Sequence, residues 1–352
     1  MPRIPAPHHL LRGSRQPRML LLGSRGQIGQ ELWKTLRVLG PVVAPYSPGR
    51  RGLKFLSQQV DLAKPQQIRA VVRQVKPQWI INAAAFTAVD QAELEPQRAM
   101  TVNAVAPGIL AEEARRLGAA LLHFSTDYIF DGSGQLPWKE GDQPHPLNVY
   151  GTTKLAGEEA IRAADTPHLI LRLCWVHSAH GENFVKKILK LAHSQHTLQV
   201  VDDQIGAPTS AQLVAQAAAQ IIQQSLPDPW AFLQSKGGAV HLACQGETSW
   251  HEFAVEICRL GQLYGLPLQV KQLLPISSRD FCLRAERPQN SRLDCSLLAS
   301  RFGLALPEWQ LALRQTFQAL YPQTTPLPHL LPPLLPALDL TVPSRLLCLN
   351  SD

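Results

Sequence analysis

The chain has 352 residues, 45% of them hydrophobic, with 34 Lys and Arg against 27 Asp and Glu and a formal net charge of +7. That much apolar material supports one large or two ordinary cores and excludes a disordered or fibrous chain, while the basic residues are scattered rather than striped, which favours a small anionic ligand over nucleic acid. Cys174, Cys244, Cys258, Cys282, Cys295 and Cys348 contain no Cys-x-x-Cys and no zinc-like spacing with His, so they read as reduced thiols of a cytoplasmic protein, and no apolar run is long enough for a signal peptide or a membrane span.

Residues 1–17 are basic and proline-broken and are expected to be a flexible flank, with Met19 the expected functional start. Met19 to Leu22 is a continuous apolar run ending in glycine, as a strand buried on both faces requires. A helix is expected from Gln27 to Leu39, a strand at Val42 to Tyr46, a helix at Gln66 to Gln74, and a strand at Trp79 to Ile81 that runs into Asn82-Ala83-Ala84-Ala85. Ala99 to Leu117 then reads as one helix, Ala120 to Ser125 as a strand, Tyr150 to Ala163 as a helix and Leu169 to Leu173 as a strand. This alternation predicts an α/β fold, a Rossmann-type doubly wound parallel sheet whose ligands sit at the carboxyl ends of the strands.

Later segments (a helix within Asn183 to Ser194, helices at Ala211 to Gln224, Trp250 to Leu263 and Pro307 to Leu320, and a strand near Val240 to Ala243) are expected to build a smaller cap. The predicted division is a dinucleotide-binding unit over 18–173 with a returning segment near 205–225, a smaller α/β substrate-binding unit over 174–204 and 226–320, and a Pro- and Leu-rich tail over 321–352.

Gly23-Ser24-Arg25-Gly26-Gln27-Ile28-Gly29 joins the first strand to the first helix, where small residues let the backbone approach a pyrophosphate at the helix N-terminus. An acidic residue near the second strand would bind an NAD ribose; Arg50 and Arg51 stand there instead, with Arg25 a further cation, which predicts NADPH and leaves NADH open. Asp61 and Leu62 are candidates for the adenine edge, and Ala83, Ala84 and Ala85 for close approach to the cofactor. Asn103, polar in an apolar helix, needs a partner if buried, and a water or backbone link near Lys154 is the expected one.

Tyr150 and Lys154 are four residues apart, which on a helix places both on one face. A cation beside a phenol lowers its pKa from about 10, which suits a proton donor to a nascent alkoxide. Ser125-Thr126-Asp127-Tyr128, at a strand end, supplies a hydroxyl to hold the substrate oxygen.

With these elements in this order the chain resembles the extended short-chain dehydrogenase/reductases that act on nucleotide sugars, over roughly Met19 to Leu320. The segments that carry the resemblance are Gly26-Gln27-Ile28-Gly29-Gln30-Glu31-Leu32, Asn82-Ala83-Ala84-Ala85-Phe86-Thr87-Ala88-Val89-Asp90, Ser125-Thr126-Asp127-Tyr128, Pro146-Leu147-Asn148-Val149-Tyr150-Gly151, Asp203-Gln204-Ile205-Gly206-Ala207-Pro208-Thr209 and Arg287-Pro288-Gln289-Asn290. It implies reduction of the C4 ketone of a dTDP sugar, dTDP-4-dehydro-L-rhamnose, by NADPH. It assigns Thr126 to the substrate oxygen, Tyr150 to proton donation and Lys154 to the nicotinamide ribose. Thr87, Val89, Asp127, Tyr128 and Trp175 are implied to line the sugar pocket, with Asn183, Arg287 and Asn290 facing the substrate.

The chain departs from the family at Cys174 and His177, within Arg172-Leu173-Cys174-Trp175-Val176-His177, and at Glu182, which bears on substrate preference more than on reaction type. Some relatives bind magnesium at a dimer interface. Glu31 matches one such carboxylate, but no full ligand set can be traced, so metal and homodimer stay open. Two alternatives also stay open: an epimerase or dehydratase that keeps its cofactor bound as NAD, and a non-catalytic regulator like the β subunit of methionine adenosyltransferase, which resembles the same enzymes.

Overall fold

The structure is a computed structural model that describes residues 16–45, 59–281 and 283–324. The expected N-terminal flank up to residue 15, the tail from residue 325, and both Arg50 and Arg51 lie outside the described residues.

In chain order the first half runs β1 (Met19–Leu22), α1 (Gln27–Leu36), β2 (Val42–Val43), α2 (Pro65–Val75), β3 (Trp79–Asn82), α3 (Val89–Leu94), α4 (Pro96–Met100), a π-helical turn (Thr101–Val105), α5 (Ala106–Leu117), β4 (Ala120–Thr126), α6 (Val149–Ala163) and β5 (His168–Leu173). The second half adds β6 (Val176–His177), α7 (Phe184–Ser194), β7 (Thr197–Val201), β8 (Ile205–Gly206), β9 (Thr209–Ser210), α8 (Ala211–Gln224), α9 (Pro229–Lys236) and β10 (Gly238–His241). It ends with β11 (Thr248–Ser249), α10 (Trp250–Leu263), β12 (Gln272–Ile276), α11 (Ser296–Phe302) and α12 (Trp309–Leu320).

Six parallel strands form one sheet in the order β10-β5-β4-β3-β1-β2. Alternation along each strand feeds two cores. Met19, Leu21, Trp79, Ile81, Leu122, Phe124, Leu169 and Leu171 pack on the face covered by α1 and α8, and Leu20, Leu22, Ile80, Leu121 and Ile170 on the face covered by α2, α5 and α6. β1 has β2 on one side and β3 on the other, so the chain reverses direction across the sheet at the end of β1. In a doubly wound sheet that crevice is the place for a ligand. The remaining strands pair only two by two, β11 with β8, β12 with β7 and β6 with β9.

Local chemistry sets the element ends that matter for the site. Asn148 caps α6 by accepting from Gly151 N at 2.8 Å, which fixes the first turn carrying Tyr150. Ser249 and Glu252 form a reciprocal capping box at the start of α10.

Two expectations are corrected. The segment 226–320 was expected wholly in the smaller unit, yet β10 is the edge strand of the main sheet, because its register with β5 pairs Gly238 with Leu169 and brings Val240 onto the main core. The single helix expected over 99–117 is instead α4, the π-helical turn and α5. The wider turn accompanies a set of bonds made by Asn103, whose Oδ1 accepts from Phe86 N at 2.8 Å and whose Nδ2 donates to Phe86 O at 3.0 Å and to Thr153 Oγ1 at 3.1 Å.

Candidate active site

The ends of β1, β3, β4 and β5 open into a cleft of about 810 Å³. One wall is the loop after β1. Gly23 has φ +78° there, and a Cβ on it would lie 2.5 Å from Ala84 N; a Cβ on Gly29 would lie 2.0 Å from Gly23 O. Gly23 therefore lets β1 and β3 close on each other, and Gly29 lets α1 seat on its own loop. Gly26 precedes α1, whose first turn holds no acidic side chain, so the free amides and the positive end of the helix dipole face the cleft. Arg25, Gln27, Ile28, Asp61, Leu62, Ala83, Ala84 and Ala85 line the same half. The small side chains and open helix start fit a dinucleotide.

The opposite half is lined by Thr87, Val89, Thr126, Asp127, Tyr128, Tyr150, Lys154 and Trp175. Thr126 is the last residue of β4; its Oγ1 donates to Asp127 Oδ1 at 2.9 Å and accepts from Tyr128 N at 3.2 Å. The Tyr128 and Tyr150 rings meet edge to face with centroids 6.0 Å apart. Burial pushes the Asp127 carboxyl up to about 6, against hydrogen bonds that favour its ionised form.

Lys154 and Tyr150 do not behave as their spacing suggests. Burial pushes the Tyr150 phenol up to about 12, with hydrogen bonding to Thr126 pulling down and the charge of Asp127 pushing up. Lys154 is held by β4: its Nζ donates to Phe124 O at 2.6 Å and lies 3.1 Å from His123 Nε2, and burial lowers its pKa to about 8. In the protein alone, desolvation of both groups outweighs the expected acidification of the phenol by the cation.

Trp175 has φ +44° and stacks on Trp250, centroids 3.6 Å apart. Gly206 makes room for it, since a Cβ there would sit 2.5 Å from Trp175 Cε2. The two indoles form a flat apolar wall suited to a sugar face.

Five expected contacts are not on the cleft surface. Gly29 and Asn103 act behind it, as described above. Asn183 caps α7, and its Nδ2 donates to Ser178 O at 2.7 Å and Gln27 Oε1 at 3.1 Å, which ties α7 to the glycine loop. Arg287 is committed to Asp90, Nη2 to Oδ2 2.5 Å, with both side chains largely buried. Asn290 holds a loop through Leu136 O at 2.8 Å and Arg292 Nε at 2.9 Å. For Asn183, Arg287 and Asn290, the three assigned to substrate, a residue remote in sequence bonds the polar group: Gln27, Asp90 and Leu136 in turn. Glu31 pairs with Lys34 and His180, each at 3.0 Å, and among the described residues no three His, Cys, Asp or Glu side chains are grouped to hold a metal.

Sequence reasoning missed Trp250, Arg98, Val102 and Phe124 as cleft residues, while Glu182, singled out there as a departure from the family, does line the cleft. Trp250 opens a capped amphipathic helix and so resembles a core residue, while Arg98 reads locally as the i,i+3 partner of Glu95, and its place over the Phe86 ring is set by the fold.

The family model for the RmlD substrate binding domain matches residues 17–321. The chain belongs to this family. It is 38% identical over 308 residues to the dTDP-4-dehydrorhamnose reductase of Escherichia coli (strain K12), an overlap that covers 87% of this chain and 99% of that one. A Clostridium acetobutylicum dTDP-4-dehydrorhamnose reductase superposes with a TM-score of 0.75 at 32% identity, covering 86% of this chain and 99% of the other. A Bacillus anthracis dTDP-4-dehydrorhamnose reductase solved in complex with NADP gives 0.76 at 30% identity, again over 86% and 99%. The α/β fold of this RmlD family member, built on its doubly wound sheet, is therefore that of solved reductases.

Proposed function

We propose that this chain reduces the C4 ketone of dTDP-4-dehydro-L-rhamnose to give dTDP-L-rhamnose, with NADPH as the reductant. The observation that carries the reading is the convergence of Thr126, Tyr150 and Lys154 on one wall of a cleft whose other wall is the glycine loop. Bound in the glycine-loop half, held by the loop backbone with Arg25, Asp61, Leu62 and Ala83 to Ala85, NADPH supplies a hydride. Arg25 together with Arg50 and Arg51 supports NADPH over NADH.

The protein's own part is proton delivery and placement. Tyr150 stays protonated throughout the neutral range and gives its hydroxyl proton to O4 of the sugar. Thr126 Oγ1, which in the protein alone donates to Asp127 Oδ1 and accepts from Tyr128 N, turns its one hydroxyl proton from Asp127 to that oxygen when the sugar binds and so holds it beside the phenol. Lys154 in its charged form stabilises the phenolate left behind. Trp175, stacked on Trp250, presents a flat surface to the pyranose, with Thr87 and Val89 in the lining of the same half of the cleft.

An intact set of Thr126, Tyr150 and Lys154 supports catalysis over a purely regulatory role, and reductase relatives over nearly the whole chain support net reduction over epimerisation. With dTDP-4-dehydro-L-rhamnose and NADPH, the purified protein is expected to form dTDP-L-rhamnose with loss of one equivalent of NADPH, and more slowly with NADH. Isomerised sugar without net consumption of cofactor would assign it to the epimerases, and no turnover at all would favour the regulator.

A further inference from the structure

Behind Lys154, on the face of the sheet covered by α6, lies a row of buried polar groups that proton delivery by Tyr150 does not itself explain. The register of β3 with β4 sets Asn82 beside His123, and both are fully buried. Asn82 Oδ1 accepts from Ala84 N at 3.2 Å, Asn82 Nδ2 lies 3.1 Å from His123 Nδ1, and His123 Nε2 lies 3.1 Å from Lys154 Nζ. Lys154 Nζ also donates to Phe124 O at 2.6 Å.

Counting protons along this row gives it a direction. Ala84 N–H donates to Asn82 Oδ1, so the Asn82 amide N–H donates to His123 Nδ1, and a neutral imidazole must then carry its proton on Nε2. That Nε2–H can donate to Lys154 only if the amine is neutral. When Lys154 is an ammonium it has no lone pair, Nε2 must accept, and the imidazole proton moves to Nδ1, where it meets the Asn82 amide N–H. Asn82 can accept it only by turning its amide over, which gives up the bond from Ala84 N–H. Each charge state of Lys154 therefore goes with a different arrangement of His123 and Asn82, and the far end of the chain is the backbone of Ala84, on the cofactor half of the cleft. His123 cannot absorb the mismatch by becoming an imidazolium, because burial and the nearby Lys154 and His168 hold it well below the usual histidine range.

We propose that His123 is a positioning residue of the reductase, one that sets the balance between the amine and ammonium forms of Lys154 through the Ala84–Asn82–His123 hydrogen-bond chain. Its consequence for catalysis rests on the function proposed above; its effect on Lys154 does not. The other titratable groups whose charge reaches this row are Glu158 on α6, which acts on Lys154, and His168 on β5, which acts on His123. Glu158 is held by Arg172 and Arg162, so its charge is already matched.

The test replaces His123 in two ways and titrates Lys154 in the cofactor-free protein by NMR of the labelled lysine side chain. In His123→Gln the amide oxygen can accept from the ammonium without an N–H facing Asn82, so the Lys154 midpoint is expected to rise by about one pH unit or more. In His123→Phe the ammonium loses its acceptor and gains an apolar neighbour, so the midpoint is expected to fall by a similar amount, about one unit. The alkaline limb of kcat should move in the same two directions. A His123→Gln midpoint equal to that of the wild type, in a protein of unchanged fold by circular dichroism, overturns the inference even if His123→Phe fails to fold. Shifted midpoints in a protein that does not reduce the dTDP sugar would leave the chain of bonds standing and overturn the function instead.

Discussion

Tyr150→Phe is expected to lower kcat by ~10²-fold or more while leaving NADPH affinity within a few-fold of the wild type. The change removes one hydroxyl and keeps the ring, so the edge-to-face contact with Tyr128 and the cap that starts α6 survive. What disappears is the donor of the proton to O4, and no neighbour replaces it. Thr126 Oγ1 has one proton, which bonds Asp127 in the protein alone and only holds O4 when the sugar binds, the Tyr128 phenol is pushed upward by burial, and Lys154 is turned toward Phe124 O and His123. Because the Tyr150 phenol sits at about 12 and Lys154 at about 8, the cofactor-free protein keeps the proton donor across the neutral range and loses the lysine charge first as pH rises. Activity that depends on both groups should fall on the alkaline side through the lysine. Steady-state kinetics with a separate NADPH titration measure both quantities; wild-type turnover in the phenylalanine variant would remove Tyr150 from the mechanism.

Arg172→Ala is expected to destabilise the fold by about 3–5 kcal/mol, the cost of leaving a buried carboxylate without its main partner. Glu158 lies one turn beyond Lys154 on α6 and is fully buried, and Arg172 on β5 reaches it with two bonds, Nε to Oε1 at 3.0 Å and Nη2 to Oε2 at 2.8 Å. The guanidinium also lies over the Phe130 ring, 5.4 Å from its centroid. The pairing holds Glu158 below the usual carboxylate range despite burial, and Arg162, which is more exposed, can compensate only in part. This pair fastens the helix that carries Tyr150 and Lys154 to the sheet, so the loss should appear in denaturant unfolding and in activity near the unfolding temperature. A change of less than about 1 kcal/mol would show that Arg162 alone satisfies Glu158.

Features that depend on a few consecutive residues were legible in the sequence. β1, the glycine loop, α8 and α10 follow from apolar runs, small residues and caps that lie within a turn or two of each other. The wall bearing Thr126, Tyr150 and Lys154 was legible for the same reason: a strand end and one helical turn supply all three. Features fixed by pairing across the chain were not. Arg287 and Asn290 carry the right groups for a sugar diphosphate, and only folding shows that Asp90 and the Leu136 carbonyl have claimed them. The direction of Lys154 is of this kind too, because it is set by His123 and Phe124 on β4 rather than by its own helix. The strand at Gly238–His241 follows a loosened pattern and looked like part of the cap, yet its register with β5 places it in the main sheet.

The most direct measurement is reduction of dTDP-4-dehydro-L-rhamnose with NADPH deuterated at the transferable C4 position, followed by NMR of the sugar product. Delivery of hydride to C4 with a proton from Tyr150 to O4 predicts deuterium at C4 of dTDP-L-rhamnose, in step with cofactor oxidation, and loss of both signals together in Tyr150→Phe. Deuterium elsewhere on the sugar, or turnover without oxidation of NADPH, would contradict it.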